Sequence, residues 1–347
     1  MKICIFSDPH WCSFSSIVTD MGEKFSVRLE HLIDSINFVE RQAERNNCDS
    51  IFCLGDFFDK ALLSSDELTA LNKIEWSPLP HVFLVGNHEI TTSDISRSST
   101  HVFNLIPDCT VIDKPVQYEY EGKTLAFLPY LGKAPKHISD YLPPTDLSRV
   151  IFSHNDLKGV NFGHFISKNG LELSDIEANC DMFLNGHLHN FGVFGDKVFN
   201  VGNICGQNFS EDASIYTHNL FILDLDTLNF DRIENPYSFN FYKIDLTTDN
   251  NLTDLCDILN KMSNNAVCTI KCYSNEKQEL KDILDSSNKI IKYRLIIENV
   301  DYGEVVSKME KTTVDHCAQF SSYIILKYGS SNEKLIEELS KVVSNEN

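Results

Sequence analysis

The sequence predicts an α/β fold in which two packed β-sheets are flanked by helices and followed by a smaller α+β domain. Strand and helix patterns alternate from Lys2 to about Asn185, and several apolar strands in this region end in polar residues. The character of the chain then changes around Asn235-Pro236. We therefore expect a first domain over residues 1–235 and a smaller α+β domain over residues 236–347.

Length and composition are those of an ordinary globular protein. The chain has 347 residues, of which 42% are hydrophobic, and this is ample for a packed core. No apolar run reaches the roughly 18 residues that a membrane span needs, and Asp8 ends the first apolar run too early for a signal peptide. We expect a cytoplasmic protein, either cellular or phage-encoded, with no membrane partner.

Charge and cysteine content argue against two classes of site. The formal charge of -20 disfavours a generic nucleic-acid-binding surface, because phosphate contacts need clustered Lys and Arg. The 11 cysteines include no Cys-x-x-Cys pair, which disfavours a disulfide or zinc framework. A polyanionic substrate would therefore need the help of bound cations.

The elements of the first domain follow from hydrophobic periodicity and turn signals. Ser64 and Glu67 form a capping-box signature, which predicts a helix that begins there and runs to Glu75. Glu121-Gly122 predicts a hairpin turn between two short strands. Further helices are expected at 26–45 and 95–106, and strands at 2–7, 50–54, 81–85, 109–112, 116–120, 124–128, 149–153, 181–184, 198–201 and 220–233. The last two of these segments are expected to be antiparallel, with a turn near residues 226–227.

The second domain alternates strands and helices without polar clusters at the strand ends. Its role is either recognition or purely structural. Strands are expected at 239–244, 267–272, 289–298 and 320–326, and helices at 252–262, 276–286, 303–311 and 331–343.

Chemistry is indicated by the residues that follow the strands of the first domain. Because parallel strands place their carboxyl ends at one edge of a sheet, we expect these residues to converge. The segments are Asp8-Pro9-His10, Gly55-Asp56-Phe57-Phe58-Asp59, Gly86-Asn87-His88-Glu89, Ser153-His154 and Gly186-His187-Leu188-His189.

Such a set of side chains suits divalent metal ions. Imidazole and carboxylate ligands bind Mn, Fe, Zn or Mg, and the lack of thiolates at these positions argues against structural zinc. Seven ligand groups are too many for one ion and about right for two, which a carboxylate such as Asp56 could bridge. Two such ions bind a phosphate oxygen and activate a water, so the chemistry predicted is phosphoester hydrolysis.

The ordered motifs D-x-H, G-D-x-x-D, G-N-H-[DE], H and G-H-x-H resemble those of the calcineurin-like metallophosphoesterases over residues 1–235. The resemblance implies a four-layer α-β-β-α sandwich and two divalent ions, most typically Mn2+. It also implies that His88 protonates or stabilises the leaving oxygen, and that Asp59 pairs with His88. The implied ligands are Asp8, His10, Asp56 and His189 around one ion, and Asp56, Asn87, His154 and His187 around the other.

Within that family, the motif loops and the appended domain look most like the SbcD-type DNA nuclease subunit, of the meiotic-recombination-eleven family. Protein Ser/Thr phosphatases continue the second motif as Asp-Arg-Gly, whereas Lys60-Ala61 follows Asp59 here. The resemblance implies DNA as substrate, an SMC-like ATPase of the SbcC type as partner, a homodimer, and a capping domain over residues 236–347 that helps grip DNA. Two alternatives remain open, a small-molecule or cyclic-nucleotide phosphodiesterase of the same fold and a non-catalytic scaffold.

Four further features have alternative interpretations. Trp11 could stack on a nucleic-acid base or pack in the core. Glu89 is expected to fix a loop or to lie behind the ligands, and His164 is a reserve ligand or substrate contact. The apolar stripe of the terminal helix, including Leu335 and Leu339, either packs on the domain or binds a partner.

Overall fold

The computed structural model describes residues 1–15, 17–91, 94–132, 135, 137–160, 166–248 and 254–298. Met1–Asn299 form one compact unit. The elements predicted beyond residue 298 and the reserve residue His164 lie outside the described residues. The predicted domain boundary at residue 235 remains a prediction.

The described strands follow the predicted order closely, with three short strands added. They are β1 (Lys2–Phe6), β2 (Ser50–Cys53), β3 (His81–Leu84), β4 (Cys109–Ile112), β5 (Val116–Tyr120), β6 (Lys123–Leu128), β7 (Ser148–Ser153), β8 (Leu157–Lys158), β9 (Leu171–Glu172), β10 (Met182–Asn185), β11 (Gly192–Phe194), β12 (Val198–Asn200), β13 (Asn219–Asp224), β14 (Asn229–Glu234), β15 (Asn240–Asp245), β16 (Ala266–Tyr273) and β17 (Ile290–Glu298). The α-helices are α1 (Val27–Arg45), α2 (Ser65–Leu71), α3 (Leu173–Asn179), α4 (Leu255–Lys261) and α5 (Lys277–Ser286).

The described residues of the first part contain two six-stranded sheets. The first has the order β14-β13-β1-β2-β3-β4, and the second has the order β11-β12-β10-β7-β6-β5. β1 to β4 are parallel, as are β6, β7, β10 and β12. The parallel strands of each sheet therefore end at one edge, where the polar motif residues follow them.

The side chains of the central strands alternate between two cores. Ile3 and Ile5 of β1 point between the sheets and pack with Phe152 and Leu184 of the second sheet. Cys4 and Phe6 point to the other face and pack against α1 and α2. On the outer face of the second sheet, α3 packs with Ile151 and Phe183. These layers are the predicted α-β-β-α sandwich, held mainly by burial of about 1.5–3 kcal/mol per large apolar side chain.

Two predicted helices are shorter or tighter than expected. The capping box of Ser64 and Glu67 is present, but α2 ends at Leu71 because the next residues form tighter turns, with the N–H of Ile74 donating to Leu71. The helix predicted over 95–106 is a 3-10 helix over Ser99–Leu105, which Ser98 caps and which is followed by the extended residue Ile106 and then Pro107. A residue before proline disfavours the helical conformation, which accounts for this end.

One strand pairing also differs from the prediction. β13 and β14 are antiparallel, as expected, but β12 pairs in parallel with β10 and is antiparallel only to β11. The short β11 supplies the antiparallel partner, because a hairpin returns the chain to insert β12 beside β10.

The chain after β14 forms a separate small sheet with the order β15-β16-β17, whose strands are all parallel. α4 and α5 connect these strands and share a core with them through Leu255, Leu259, Leu280 and Leu284. Phe241 of β15 packs instead into the core beneath α1. Among the helices of the described residues, none is long and apolar enough to cross a membrane.

Candidate metal centre

The loops after β1 and β2 are joined by backbone hydrogen bonds. The N–H of Asp8 donates to the carbonyl of Gly55 at 3.1 Å, and the N–H of His10 donates to that of Asp56 at 3.1 Å. The N–H of Trp11 continues this ladder to Phe57 at 2.6 Å. The ladder brings the first two motifs side by side, although 45 or more residues of chain separate them.

Four of the motif residues have a left-handed backbone conformation. Asp8 has φ 51°, His10 has φ 49°, Asp56 has φ 47° and His187 has φ 71°. Non-glycine residues in this conformation cost on the order of 1–3 kcal/mol each and occur where surrounding structure enforces them, frequently at functional sites. The hydrogen-bond ladder enforces it for the first three.

Asp8, His10 and His189 form the first group of potential ligands. Their ligand atoms all lie within 4.8 Å of one another. Asp8 Oδ1 and His10 Nε2 are 3.8 Å apart, and both are buried without a hydrogen-bond partner among the described residues. Buried polar atoms are normally paired, so two such atoms facing each other fit a shared cation.

Asp56, His154 and His187 form the second group, again within 4.8 Å. The side-chain oxygen of Asn87 lies 3.3 Å from His154 Nε2, which adds an amide ligand. Asp56 Oδ2 lies 3.0 Å from His154 Nε2 and 3.9 Å from His10 Nε2, between the two groups. The chain thus presents a carboxylate oxygen where two ions could share it.

The charges in this cluster raise the pKa values of two buried histidines. Burial lowers the pKa of His10, but its hydrogen bond to Asp59 and the nearby carboxylates of Asp8 and Asp56 outweigh burial and raise it to about 10. Burial also opposes the charged form of His154, whose pKa the Asp56 carboxylate raises to about 9. The same contacts keep the pKa of Asp56 below its usual range, despite burial.

His88 and Asp59 differ from these ligands in their exposure. The side chain of His88 is 43% exposed and that of Asp59 is 40% exposed, whereas His10 and Asp56 are buried. His88 Nδ1 lies 3.2 Å from the carbonyl oxygen of Asp59 and 3.7 Å from its carboxylate. The carboxylate is closer to His10, at 3.0 Å from Nδ1. Asp59 therefore contacts both histidines, and its carboxylate hydrogen-bonds His10.

Comparison with known families identifies this site. The model of the calcineurin-like phosphoesterases matches residues 1–191. The chain belongs to this family. Metal-dependent hydrolysis of phosphoesters is the chemistry that membership supports, and the two groups of Asp and His are where this metallophosphoesterase could hold its metals.

Solved structures resemble the chain only distantly. An archaeal phosphodiesterase is 15% identical with a TM-score of 0.36, covering 67% of this chain and 99% of its own. A dimetal phosphatase from Danio rerio is 12% identical with a TM-score of 0.41, covering 67% and 98%. NAD nucleotidase from Haemophilus influenzae is 11% identical with a TM-score of 0.33, covering 84% and 57%. No curated protein matches the chain significantly.

Two carboxylates behind the histidines of the metallophosphoesterase were not predicted from sequence. Asp156 Oδ1 lies 3.2 Å from His187 Nε2, and Glu211 Oε1 lies 3.7 Å from His189 Nδ1. Carboxylates commonly orient metal-binding histidines through the second ring nitrogen. The signal for Asp156 was its place two residues after His154, whereas nothing in the sequence pointed to Glu211.

Three buried asparagines connect the strand ends of the second sheet. The side chain of Asn185 accepts from the N–H of Asn155 at 3.1 Å and donates to the side chain of Asn200 at 3.2 Å. The amide of Asn200 also donates to the carbonyl of Asn190 at 2.7 Å. Asn155 directly follows His154 and Asn185 directly precedes Gly186, so their adjacency to the motifs could have indicated them, whereas Asn200 only ends a strand.

Glu89 and Trp11 have structural roles in this metallophosphoesterase. The buried Glu89 carboxylate accepts from the N–H groups of Gly86 at 2.7 Å and Phe58 at 3.0 Å, which confirms the loop-fixing interpretation. Burial, reinforced by the charge of Asp56, raises the pKa of Glu89 to about 7. Trp11 is fully buried, and its Nε1 donates to the carbonyl of Glu67 at 3.0 Å. The base-stacking interpretation of Trp11 is therefore wrong.

Proposed function

We propose that this metallophosphoesterase is a metal-dependent DNA nuclease that works as the nuclease subunit of an SMC-like ATPase of the SbcC type. It would act as an exonuclease, and on hairpins or internal sites as an endonuclease, in DNA recombination, repair or replication. The observation that carries the proposal is the resemblance of its motif loops, including Asp8-Pro9-His10-Trp11 and Gly55–Asp59, to those of SbcD-type subunits. Homodimer formation belongs to the same proposal.

Seven side chains of the chain would hold the metals, with Asp56 shared between two ions. When bound, two divalent ions, Mn2+ in the first instance, would polarise the phosphoester and activate water. The ligands proposed for one ion are Asp8, His10, Asp56 and His189, and for the other Asp56, Asn87, His154 and His187.

His88 is the proposed proton donor to the leaving oxygen. A carbonyl oxygen only accepts hydrogen bonds, so the contact with Asp59 holds one proton on Nδ1. Nε2 is then the nitrogen that would give the second proton of the imidazolium form to the leaving oxygen. The backbone N–H of His88 donates to Asp56 Oδ1 at 2.9 Å, which ties the donor to the carboxylate between the two ligand groups. Its exposed position lets both solvent and substrate reach the ring.

The acidic composition fits an enzyme that needs help to bind DNA. With a formal charge of -20, the protein alone repels a polyanion, and bound cations and a partner would supply the positive field. Gating by an ATPase partner is therefore consistent with the electrostatics of the chain.

The test compares the wild type with His88→Asn in Mn2+, on linear duplex DNA and on bis(4-nitrophenyl) phosphate. We expect the wild type to degrade DNA, at least when the ATPase partner is present, and His88→Asn to lose turnover while it retains both metals. His137→Asn, which changes a histidine that is 72% exposed, is the matched control and should behave as the wild type.

Hydrolysis of the small ester without any DNA cleavage, even with the ATPase partner supplied, would overturn the nuclease proposal. That result would favour the small-molecule phosphodiesterase. Failure on both substrates with metals bound would favour the non-catalytic scaffold.

A further inference from the structure

A cavity of about 730 Å³ lies directly beside the candidate metal centre. Asn87 forms part of its wall, and the side-chain oxygen of the same residue lies 3.3 Å from His154 Nε2. Tyr130 forms another part, and its ring centroid is 6.0 Å from that of His187. A substituent on a phosphate held at the centre would therefore have this cavity next to it, and the volume is in the range of small-molecule sites.

The wall that carries Tyr130 is fixed in place by the residues around the centre. The N–H of Tyr130 donates to the carbonyl of Val85 at 3.0 Å, and the N–H of Leu131 donates to Asn155 Oδ1 at 2.8 Å. The buried Asn155 amide also donates to the carbonyl of Pro129 at 3.1 Å. Because Asn155 directly follows His154, the position of Tyr130 is coupled to that of a proposed ligand. A preorganised wall of this kind favours binding, since less order has to be imposed on association.

The chemistry of the walls suits a planar, partly apolar group that is attached to phosphates. Ile90, Ile95 and Pro115 provide apolar surface in the lining, and Tyr130 provides an aromatic ring. Lys114 adds an exposed ammonium group to the same cavity. Aromatic rings stack on nucleic-acid bases with little sequence preference, and ammonium groups bind phosphate.

We propose that this cavity is a nucleoside subsite, which takes the base and sugar on one side of the phosphate that is cleaved. The base packs on Tyr130 between the apolar walls, and Lys114 contacts the next phosphate of the strand. The inference rests on the proposed function as a phosphodiesterase acting on nucleic acid, and it specifies nucleoside phosphates as the substrate class of that site. DNA strands and single nucleotides share this chemistry, and Lys114 distinguishes them because only a strand offers a second phosphate.

Binding of thymidine 5′-monophosphate and of inorganic phosphate to the Mn2+-loaded protein tests the subsite by equilibrium dialysis. We expect the nucleotide to bind at least about tenfold more tightly than phosphate, as one stacked base would provide. Tyr130→Ala should remove most of that preference, and Tyr130→Phe should keep it. Tyr120→Leu, at an exposed tyrosine of β5, is the matched control and should also keep it. Equal affinity of the wild type for nucleotide and phosphate, or an undiminished preference in Tyr130→Ala, would overturn the proposal.

Lys114→Gln changes an exposed side chain, so we expect the variant to fold as the wild type does. It should weaken binding of the 5′-phosphorylated dinucleotide pTpT more than binding of the mononucleotide. Equal weakening of both would contradict the placement of Lys114 beside a second phosphate. If Tyr130→Ala unfolds at a lower temperature than the wild type, the effects of Lys114→Gln on pTpT and on the mononucleotide alone decide whether the proposed subsite is correct.

Kinetics separate the failure of this inference from failure of the proposed function. Tyr130→Ala should raise KM for thymidine 5′-(4-nitrophenyl phosphate) at least about fivefold more than for bis(4-nitrophenyl) phosphate, which lacks a nucleoside. Hydrolysis of neither ester by the metal-loaded wild type would refute the proposed function, and dialysis would still decide on the subsite. Hydrolysis of both, with the same effect of Tyr130→Ala on each KM, would refute the subsite alone.

Discussion

Gly86→Ala should disrupt the metal centre through a single added methyl group. Gly86 does not have a positive φ, so its backbone conformation is open to alanine. A Cβ at this position would lie 2.5 Å from the backbone nitrogen of Asp56 and 2.7 Å from its Cγ, and real Cβ contacts below 3.0 Å essentially do not occur. The methyl group therefore acts on the residue proposed to bridge the two ions.

The geometry gives the size of the effect. Asp56 must retreat by roughly 0.5 Å to relieve the contact with its nitrogen, which is the tolerance within which catalytic groups must be held. The backbone N–H of His88 donates to Asp56 Oδ1 at 2.9 Å, so the proposed proton donor is disturbed together with the ligand. We expect metal affinity to fall about 10- to 100-fold, or about 1.4–2.8 kcal/mol, as when the partner of a ligand is lost.

Calorimetric titration of metal-free protein with Mn2+ measures this loss, and thermal unfolding reports on the fold. Gly122→Ala is the matched control, since Gly122 has φ +77° in the β5–β6 turn and nothing lies within 4 Å of its added Cβ. The control should lose about 1–2 kcal/mol of stability through backbone strain and keep its metal affinity. Binding of two Mn2+ ions by Gly86→Ala with wild-type affinity would refute the placement of Asp56 between the ligand groups.

Four further predictions concern charges near the centre. Glu211→Gln should lower Mn2+ affinity about tenfold, measured by titration, because the amide no longer offers His189 a charged partner; unchanged affinity would contradict the orienting role. The raised pKa values of His10, about 10, and His154, about 9, predict that Mn2+ binding at pH 7 releases protons and that affinity rises with pH up to about 10, which calorimetry in buffers of different ionisation enthalpy can measure. The same shifts predict that the metal-free protein loses stability as pH rises from about 6.5, the ordinary pKa of histidine, to about 10, because over this range the folded state binds protons that the unfolded state does not; a flat urea-unfolding profile over that window would contradict this. Glu89→Gln should lower the free energy of unfolding in urea by about 1–3 kcal/mol, because one of the two buried N–H groups loses its acceptor. An unchanged free energy of unfolding would mean that water accepts from that N–H group instead.

The sandwich was predictable because apolar strands, capping residues and polar strand ends all indicate the same architecture. The capping box of Ser64 and Glu67 marks the start of α2 correctly, since one local contact determines it. The end of α2 was not predictable, because the continuation of the apolar pattern to Ile74 is satisfied equally well by the tighter turns that occur there. Parallel pairing of β12 also depends on a hairpin whose first strand is only three residues long.

The candidate ligands could be listed from sequence, but their supporting residues could not. Each ligand lies in a segment that directly follows a strand, so a local pattern reveals it. Asp156 faces His187 because β7 and β10 are neighbours in the sheet, and Glu211 faces His189 because a loop folds back on the centre. Such pairs depend on sheet order and loop conformation, which hydrophobic periodicity does not specify.

The last three residues of the G-N-H-E motif differ in how deeply they are buried. Glu89 is buried and accepts two backbone N–H groups, which fixes the turn. Asn87 is partly buried and lies between His154 and the neighbouring cavity, so it can serve both a metal and the wall of a substrate subsite. His88 is the exposed member, as its proposed role in proton transfer to a substrate requires. Glu89 thus supports the turn, and the exposures of Asn87 and His88 agree with the metal-binding and proton-transfer roles proposed for them.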